Sequence, residues 1–266
     1  MIRKLEQKFV DKVWGVERLP PPFPHPSEER IGEIWFEPPA ELDELLVKYI
    51  FTSERLSVQS HPDDDQAEAL GLGRTGKSEC WIILDAQPGA AIAVGFHQTH
   101  TAEEIRAAAL DGSIVDLLVW HQVAPGDAFY IPAGTVHAIG GGVGLIEVQQ
   151  NSDVTFRLFD YGRPRELHLR DGLAVSQFTP YPDSLRSRIE GPFGVLVDSP
   201  HFRLLYTQAG HDLPGLTQAP VLVIPFSGEV SCRSSMLKTG DCVLVENLVP
   251  SDLAGSGIAL VAQPRR

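Results

Sequence analysis

The stretch GDAFYIPAGTVH, from Gly126 to His137, decides how this chain is expected to fold. Gly126 opens an apolar strand, and Pro132 and Gly134 supply the turn that ends it. His137 then lies on the returning strand and is predicted to point inward. A histidine that only packs in a core is the alternative, but the spacing of glycine, proline, glycine and histidine favours a functional site.

Similar short apolar runs recur along the chain and predict a mainly β protein. The 266 residues include 24 glycines and 21 prolines, which separate runs such as LLVKYIF, ECWIIL and APVLVIPF. Strands at this spacing are typical of a sandwich or barrel. Only two segments have helical signals. One begins with a capping box of Thr101 and Glu104 and stops at Gly112; the other is a short turn after Pro62, with the acidic run Asp63–Asp65 at its start.

An internal repeat suggests two related β modules. The segment from Gly126 to Gln149 has a weaker echo from Gly240 to Gln263, with the same order of Gly-Asp, apolar strand, turn and second apolar strand. Ser251 and Leu260 stand near the places of the histidine and a glutamate of the first copy. The second module is therefore predicted to lack catalytic and metal-binding residues and to pack against the first module.

The expected fold is two β modules of the sandwich or barrel type with a few short helices, the second module degenerate. The polar, proline-bearing stretch SQFTPYPDSLRSR, from Ser176 to Arg188, is the predicted linker. This divides the chain into a first domain of residues 1–175 and a degenerate β domain of residues 176–266.

Charge and cysteine content limit the partners and the compartment. The chain carries 22 basic and 35 acidic residues, a net charge of −13, which argues against nucleic acid or an anionic membrane as a partner. Its three cysteines have no paired spacing, and no apolar run is long enough to span a bilayer. We therefore expect a soluble cytoplasmic protein, whose oligomeric state the sequence leaves open. An anionic ligand would need local cations or a metal.

A second candidate for the site is the stretch LSVQSHPDD, from Leu56 to Asp64. Because side chains alternate along a strand, Ser57, Gln59 and His61 are predicted to share one face. Half-buried strands also carry such residues for hydrogen bonding alone. The Gln-x-His pair alone therefore does not identify a functional site, and the other motifs of the chain must decide between the two interpretations.

The two stretches together resemble the cupin barrels, which implies that the two modules are jelly-roll β-barrels and that residues 1–175 form a metal-binding catalytic domain. Residues 126–137 resemble the second cupin signature, and Gln59 and His61 stand for the histidine pair of the first, with Glu79 in GKSECWIIL as its carboxylate. With His137 these residues form a set of nitrogen and oxygen donors if Gln59 binds through its amide oxygen. Such a set suits zinc, and also manganese or cobalt.

The longer motifs closely resemble the type I mannose-6-phosphate isomerases (phosphomannose isomerases), in particular their short bacterial form. They are LSVQSHPDD, KSECWIIL, GDAFYIPAGTVHAIGGG and IEVQQNSDVTFRLFDYGR, with DKVWG and RIGEIWF as N-terminal landmarks. The likeness covers most of the first 165 residues. It implies one zinc ion per chain, a sugar-phosphate substrate, and interconversion of mannose 6-phosphate and fructose 6-phosphate through an enediol.

The resemblance also implies roles for nine residues. The zinc ligands would be Gln59, His61, Glu79 and His137, and the residues around the substrate Arg157, Glu147, Lys77, Lys48 and Asp153. Arg157 would stabilise an enediolate or grip the phosphate, and Glu147 or a metal-bound water would move the carbon-bound proton. Lys48 and Lys77 would bind phosphate or help to open the sugar ring.

Each supporting residue could also have a purely structural role. Two other functions are alternatives to the isomerase. Arg157 could be a surface arginine, the two lysines could be solvated, and Glu147 could lie on an outer face. The rivals are a catalytically silent sugar-phosphate-binding cupin and a cupin oxidoreductase that uses iron and oxygen, which Gln59 in place of a histidine disfavours. The pair His97 and His100 has metal-like spacing but is predicted to lie in a loop before a helix.

Overall fold

The computed structural model describes residues 1–26 and 28–265, and antiparallel strands dominate it. Strands hold 42% of the residues and helices 12%, which confirms the prediction of a mainly β protein. The strands are β1 (Ile2–Lys4), β2 (Gln7–Val16), β3 (Ile31–Phe36), β4 (Leu45–Phe51), β5 (Val58–Ser60), β6 (Glu79–Ala86), β7 (Ala91–Phe96), β8 (Leu118–Gln122), β9 (Asp127–Ile131), β10 (His137–Ile139), β11 (Val143–Gln150), β12 (Phe156–Phe159), β13 (Arg186–Arg188), β14 (Phe193–Asp198), β15 (Phe202–Gln208), β16 (Val221–Ser227), β17 (Val230–Cys232), β18 (Ser235–Leu237), β19 (Val243–Val245), β20 (Leu253–Ala254) and β21 (Ile258–Pro264). The helices are α1 (Asp64–Ala69), α2 (Ala102–Asp111), α3 (Ile114–Leu117) and α4 (Leu169–Val175), with 3-10 turns at Asp183–Leu185 and Pro250–Asp252.

The described strands form four sheets, in two pairs. The first half of the chain builds a seven-stranded sheet in the order β13-β9-β6-β11-β4-β3-β2 and a five-stranded sheet in the order β12-β5-β10-β7-β8. The second half builds a six-stranded sheet in the order β1-β19-β16-β21-β15-β14 and a small sheet in the order β18-β17-β20. The strand, turn and strand order of β9 to β11 recurs in β19 to β21, as the internal repeat predicted.

Strand register in the seven-stranded sheet places polar residues side by side. Glu147 on β11 lies opposite Lys48 on β4 and opposite Trp81 on β6. Two residues further along β11, Gln149 lies opposite Glu79. Because residues two apart share a face of a sheet, all five side chains belong to one face.

The five-stranded sheet carries a second row of polar side chains, across β5, β10 and β12. Gln59 on β5 lies opposite His137 on β10 and opposite Arg157 on β12. The turn between β9 and β10 carries the chain from the seven-stranded sheet to this one, so His137 meets residues of the other sheet. Gly134 in that turn has φ +83°, and its N–H donates to His61 O at 2.8 Å. An added Cβ would lie 3.0 Å from Val175 O, so the turn favours glycine on both counts.

Both predicted helices are present. Helix α2 begins after the capping box of Thr101 and Glu104 and ends at Gly112, which has φ +87°. Helix α1 has its own capping box between Asp63 and Gln66, so the acidic run is a helix start.

The prediction of only two helical segments was wrong, since the structure also contains α3 and α4. Helix α4 has Gly172 in its middle and no side-chain cap, so its local signals are poor. It forms where it packs on β12: a Cβ at Gly172 would lie 2.8 Å from the Leu158 side chain. Tertiary packing outweighs propensity at this position.

The two halves share strands and a core. Strand β1 pairs with β19, so the first residues join the sheet of the second half, and β13 pairs with β9 of the first half. One buried hydrophobic cluster runs from Ile34 and Tyr49 in the first half to Phe202 and Leu260 in the second. The domain division at residue 175 remains a prediction. No helix in the described residues is long and apolar enough to cross a bilayer.

The Tyr49 hydroxyl provides a test of this shared core. It is buried and accepts a hydrogen bond from Gly240 N at 3.1 Å, across the contact between the halves. Tyr49→Phe leaves that N–H without a partner and should reduce the free energy of unfolding by about 1–3 kcal/mol in urea denaturation. Tyr130→Phe is the control, because its hydroxyl forms no hydrogen bond with a described residue. Equal effects of both changes would contradict the contact.

Candidate metal centre and substrate cavity

Three predicted ligands, His61, Glu79 and His137, converge where the two sheets of the first half meet. One ligand atom of each lies within 4.8 Å of the others, and all three side chains are buried. His61 Nε2 is 3.6 Å from Glu79 Oε2, and His137 Nε2 is 3.4 Å from Glu79 Oε1. The set has the size and the donor types of a possible divalent metal site.

Backbone carbonyls orient both histidines towards this point. His61 Nδ1 lies 2.8 Å from Val154 O, and His137 Nδ1 lies 2.8 Å from Thr135 O. A carbonyl can only accept, so each Nδ1 carries the hydrogen and each Nε2 is an acceptor. Lys77 Nζ lies 3.4 Å from His61 Nε2, and Gln59 Nε2 lies 3.3 Å from His137 Nε2. Burial lowers the pKa of His137 to about 4 and the pKa of His61 well below its ordinary value. Both rings are therefore neutral at pH 7, as metal ligands must be.

Glu79 is the residue that most requires a cation. Neither of its carboxylate oxygens has a hydrogen-bond partner among the described residues, although the side chain is fully buried. Lys77 Nζ lies 3.0 Å from Oε2, a charge contact rather than a directional hydrogen bond. Burial raises the pKa of Glu79 to about 7, against the opposing effect of Lys77. A divalent metal would satisfy both oxygens, so the residues present fit such an ion.

Gln59 lies next to the triad with its amide nitrogen towards it. Its Nε2 is 3.3 Å from His137 Nε2, while its Oε1 accepts a hydrogen bond from Ser57 Oγ at 3.1 Å. A half-turn of the amide would exchange the two atoms and present Oε1 to the triad. The predicted fourth ligand is therefore close enough to the triad, but its amide nitrogen, and not the oxygen that would coordinate a metal, faces it.

A second buried carboxylate, Glu147, lies beside the triad and is fully paired. Lys48 Nζ donates to Glu147 Oε1 at 3.0 Å and to Gln149 Oε1 at 2.6 Å, and Trp81 Nε1 donates to Glu147 Oε2 at 3.0 Å. Burial alone would raise the pKa of Glu147, but Lys48 and Lys77 hold it at about 2. Glu147 is therefore ionised and, while Lys48 stays in place, a weak base.

A cavity adjoins these groups. Six of the predicted residues line it: Lys48, Gln59, Lys77, Glu147, Asp153 and Arg157. Gln59 and Lys77 contact both the cavity and the triad, and Asp153 is exposed at its rim. The structure thus brings the predicted substrate residues and the predicted ligands together.

The sequence prediction missed several lining residues, four of which, Lys12, Trp14, Glu33 and Trp35, come from β2 and β3. Lys12 Nζ lies 3.1 Å from Glu33 Oε2, and Trp35 Nε1 donates to the same oxygen at 2.6 Å. The Lys48 ammonium lies 4.6 Å from the centre of the Trp35 ring, a cation–π contact. Lys12, Glu33 and Trp35 belong to DKVWG and RIGEIWF, and the single charge of Glu33 within the apolar run of β3 is the signal that could have identified this wall.

Ser78 links the ligand-bearing segments. Its N–H donates to Gln150 Oε1 at 2.9 Å, and its Oγ accepts from Ala133 N at 3.2 Å in the turn before His137. The Ser60 hydroxyl is buried without a described partner.

The pair His97 and His100 lies between β7 and α2, as predicted. His100 Nδ1 is 3.7 Å from Glu104 in the first turn of α2. Neither residue belongs to a metal-like group among the described residues.

The buried Lys48–Glu147 pair should be costly to break. Lys48→Met leaves the Glu147 charge without its closest partner and should reduce the free energy of unfolding by about 3–5 kcal/mol in urea denaturation of metal-free protein. Lys12→Met is the matched control, because the Lys12–Glu33 pair is partly exposed and should contribute only about 0–1 kcal/mol. A smaller effect of Lys48→Met than of Lys12→Met would show that the buried charge is relieved in another way.

Comparison with known proteins gives a consistent result. No known family model matches the chain. A mannose-6-phosphate isomerase from Streptococcus mutans is 36% identical over 225 residues, 78% of this chain and 69% of the relative. The mannose-6-phosphate isomerase ManA of Bacillus subtilis is 44% identical over 145 residues, 52% of this chain and 46% of the relative. The chain thus spans about half the length of its Bacillus subtilis relatives.

Solved structures share the fold. A mannose 6-phosphate isomerase from Bacillus subtilis superposes with a TM-score of 0.78 at 24% identity, covering 98% of both chains. A zinc-bound mannose 6-phosphate isomerase superposes with a TM-score of 0.76 at 15% identity, covering both chains fully. These structures show the fold, and the Streptococcus mutans relative shows the family: the chain belongs to the mannose-6-phosphate isomerases.

Proposed function

We propose that this protein is a zinc-dependent aldose–ketose isomerase that interconverts mannose 6-phosphate and fructose 6-phosphate. The observation that carries the proposal is the buried triad of His61, Glu79 and His137 beside a cavity lined by charged residues. The family to which the chain belongs and the zinc in a solved neighbour support the choice of reaction and metal.

The charge of the cavity fits an anionic substrate. Five cationic and three acidic side chains line it, in a protein with a net charge of −13. This local excess of positive charge meets the condition that the acidic composition set for a phosphorylated ligand. The sugar phosphate is the proposed small-molecule partner, and the acidic composition supports the absence of nucleic acid and membrane partners.

The reaction moves one proton between the two carbons at the end of an open-chain sugar. A base removes the proton from C2 of the aldose and returns it to C1, while the proton of the C2 hydroxyl is transferred to the oxygen on C1. Negative charge develops on the oxygens during the transfer, so nearby positive charge accelerates it. Zinc would be held by His61, Glu79, His137 and Gln59, and when bound it supplies positive charge for these oxygens.

Lys77 and Glu147 are placed to act on the reacting carbons and oxygens. Lys77 lines the cavity and contacts the triad, so its ammonium can stabilise the developing oxygen charge. Glu147 is ionised and can accept the carbon-bound proton. Its low pKa makes it a weak base, and movement of Lys48 towards the substrate would raise that pKa.

We further propose one zinc ion per chain and a cytoplasmic location. All three cysteines are free and buried, which fits a reducing compartment. The triad is the one metal-like group found in the part of the chain that the structure describes.

Removal of the metal and replacement of either histidine of the triad should both leave the protein without zinc. We expect purified protein to contain about one zinc per chain, to lose turnover of mannose 6-phosphate after chelation, and to regain it when zinc returns. His61→Ala and His137→Ala should each lose the metal, because each removes one of the two imidazole donors of the four-residue set. His97→Ala, which changes a histidine outside the triad, should keep full zinc content and turnover.

Elemental analysis and a coupled assay of fructose 6-phosphate formation measure these outcomes. Full zinc content in the His61→Ala and His137→Ala double variant would contradict the proposed site. Zinc-loaded protein that binds mannose 6-phosphate without turning it over would instead be the catalytically silent sugar-phosphate-binding cupin.

A further inference from the structure

Three backbone segments carry the residues of the triad, and hydrogen bonds join these segments into a closed ring. They are residues 61–64, 76–79 and 132–137, which carry His61, Glu79 and His137 in that order. The first and third segments meet where Gly134 N donates to His61 O at 2.8 Å. The first and second meet where Lys77 N donates to Pro62 O at 2.9 Å. The other contacts of the ring use two buried side chains, those of Ser78 and Gln150.

Ser78 joins the second segment to the third. Its Oγ accepts a hydrogen bond from Ala133 N at 3.2 Å, in the turn that leads to His137. Its N–H donates to Gln150 Oε1 at 2.9 Å, and its carbonyl accepts from Gln150 N at 3.1 Å. All three polar atoms of the residue that directly precedes Glu79 are therefore held by neighbouring segments.

Gln150, at the end of β11, joins the second segment to the first. Its Oε1 accepts from Ser78 N, and its Nε2 donates to Asp64 Oδ1 at 2.9 Å. The same Asp64 oxygen accepts from Gly76 N at 2.7 Å. A half-turn of the Gln150 amide would place two donors against each other at Ser78, so the bridge has only one orientation.

Glu79 depends on this ring more than the two histidines do. Each histidine ring is oriented by a backbone carbonyl at its Nδ1. The Glu79 carboxylate has no hydrogen bond among the described residues, so the position of its backbone decides where its oxygens lie. Ser78 and Gln150 fix that backbone from outside the triad and outside the cavity lining.

We infer that Gln150 and Ser78 are positioning residues that hold the backbone of Glu79 and the turn before His137 in the arrangement that binds the metal. Asp64 is the anchor of Gln150. The inference rests on the proposed function in taking a divalent metal at the triad. Ligands that already stand in place lose less conformational freedom when the ion binds, so these contacts increase metal affinity.

Zinc affinity, measured on the full chain by competition with a coloured chelator, tests the role of Gln150. Gln150→Met keeps most of the side-chain volume but forms neither amide hydrogen bond, so zinc affinity should fall by about 10- to 100-fold. Tyr206→Phe is the matched control. The buried Tyr206 hydroxyl accepts from Glu190 N at 3.1 Å and donates to Glu190 O, so this variant also loses two hydrogen bonds, but in the second half of the chain. Its zinc affinity should stay within about twofold of the wild type.

Asp64 provides a second test, which leaves the buried core unchanged. Its side chain is 46% exposed at the start of α1, and the N-cap of that helix is Asp63. Asp64→Ala removes the acceptor of Gly76 and Gln150 and should weaken zinc binding, whereas Asp64→Asn keeps an acceptor oxygen and should bind zinc nearly as tightly as the wild type. Both variants lose the charge that lies 3.8 Å from His201 Nδ1, so their difference reports the hydrogen bonds alone. If Gln150→Met fails to fold, this comparison decides.

Cobalt-loaded protein adds a measurement that a loss of stability alone would not change. The visible absorption bands of bound cobalt depend on the geometry of its ligands. Gln150→Met should shift these bands, and Ser78→Ala, which removes only the acceptor of Ala133 N, should shift them less. Tyr206→Phe should keep the wild-type bands.

Wild-type zinc affinity in Gln150→Met, or an equal loss in Tyr206→Phe, would overturn the inference, and equal zinc affinities of Asp64→Ala and Asp64→Asn would remove Asp64 from it. Failure of the proposed function is distinguishable. Protein that binds zinc more weakly in Gln150→Met but does not isomerise mannose 6-phosphate would disprove the reaction and leave the positioning role. Protein that isomerises the sugar, with unaltered zinc affinity and cobalt bands in Gln150→Met, would disprove only the positioning role. Protein that binds no divalent metal at the triad would disprove both.

Discussion

Two carboxylates buried side by side, those of Glu79 and Glu147, impose the constraint on which the rest of the site depends. An ionised carboxylate away from water is costly unless cations and donors compensate it. Glu147 has this compensation from Lys48 and Trp81. Glu79 has only part of it, from Lys77, and both of its oxygens remain without a hydrogen bond among the described residues. The unequal compensation explains why the two carboxylates suit different tasks.

Strand register places these partners next to the two carboxylates. Glu147 meets Lys48 and Trp81 because they are its direct neighbours across β4 and β6, and Glu79 lies one step further along the same face. The histidines come from the other sheet, where the turn through Gly134 brings His137 opposite Gln59. A slip of one residue on β11 would turn Glu147 out of the site. The metal centre is therefore a product of sheet pairing as much as of the ligands.

The sequence could predict the parts of the site that local patterns determine. Spacing around the turn predicted an inward-pointing His137, and alternation along β5 predicted that Gln59 and His61 share a face. The position of Gln59 opposite His137 is given by the strand register. Resemblance to a family identified Lys48, Glu147 and Arg157, but not which of them form ion pairs, because the pairing depends on contacts between strands that are far apart in the sequence. Helix α4 escaped prediction because packing against β12 outweighs the glycine in its middle.

Anomalous diffraction at the zinc absorption edge, from crystals of zinc-loaded protein, tests most directly whether the uncompensated carboxylate is part of a metal site. The account predicts one strong peak per chain, about 2.0–2.2 Å from Nε2 of His61 and of His137 and from an oxygen of Glu79. It also predicts that the Gln59 amide has turned to present its oxygen. A peak at another group of side chains, or the absence of a peak while Glu79 keeps only its contact with Lys77, would contradict it.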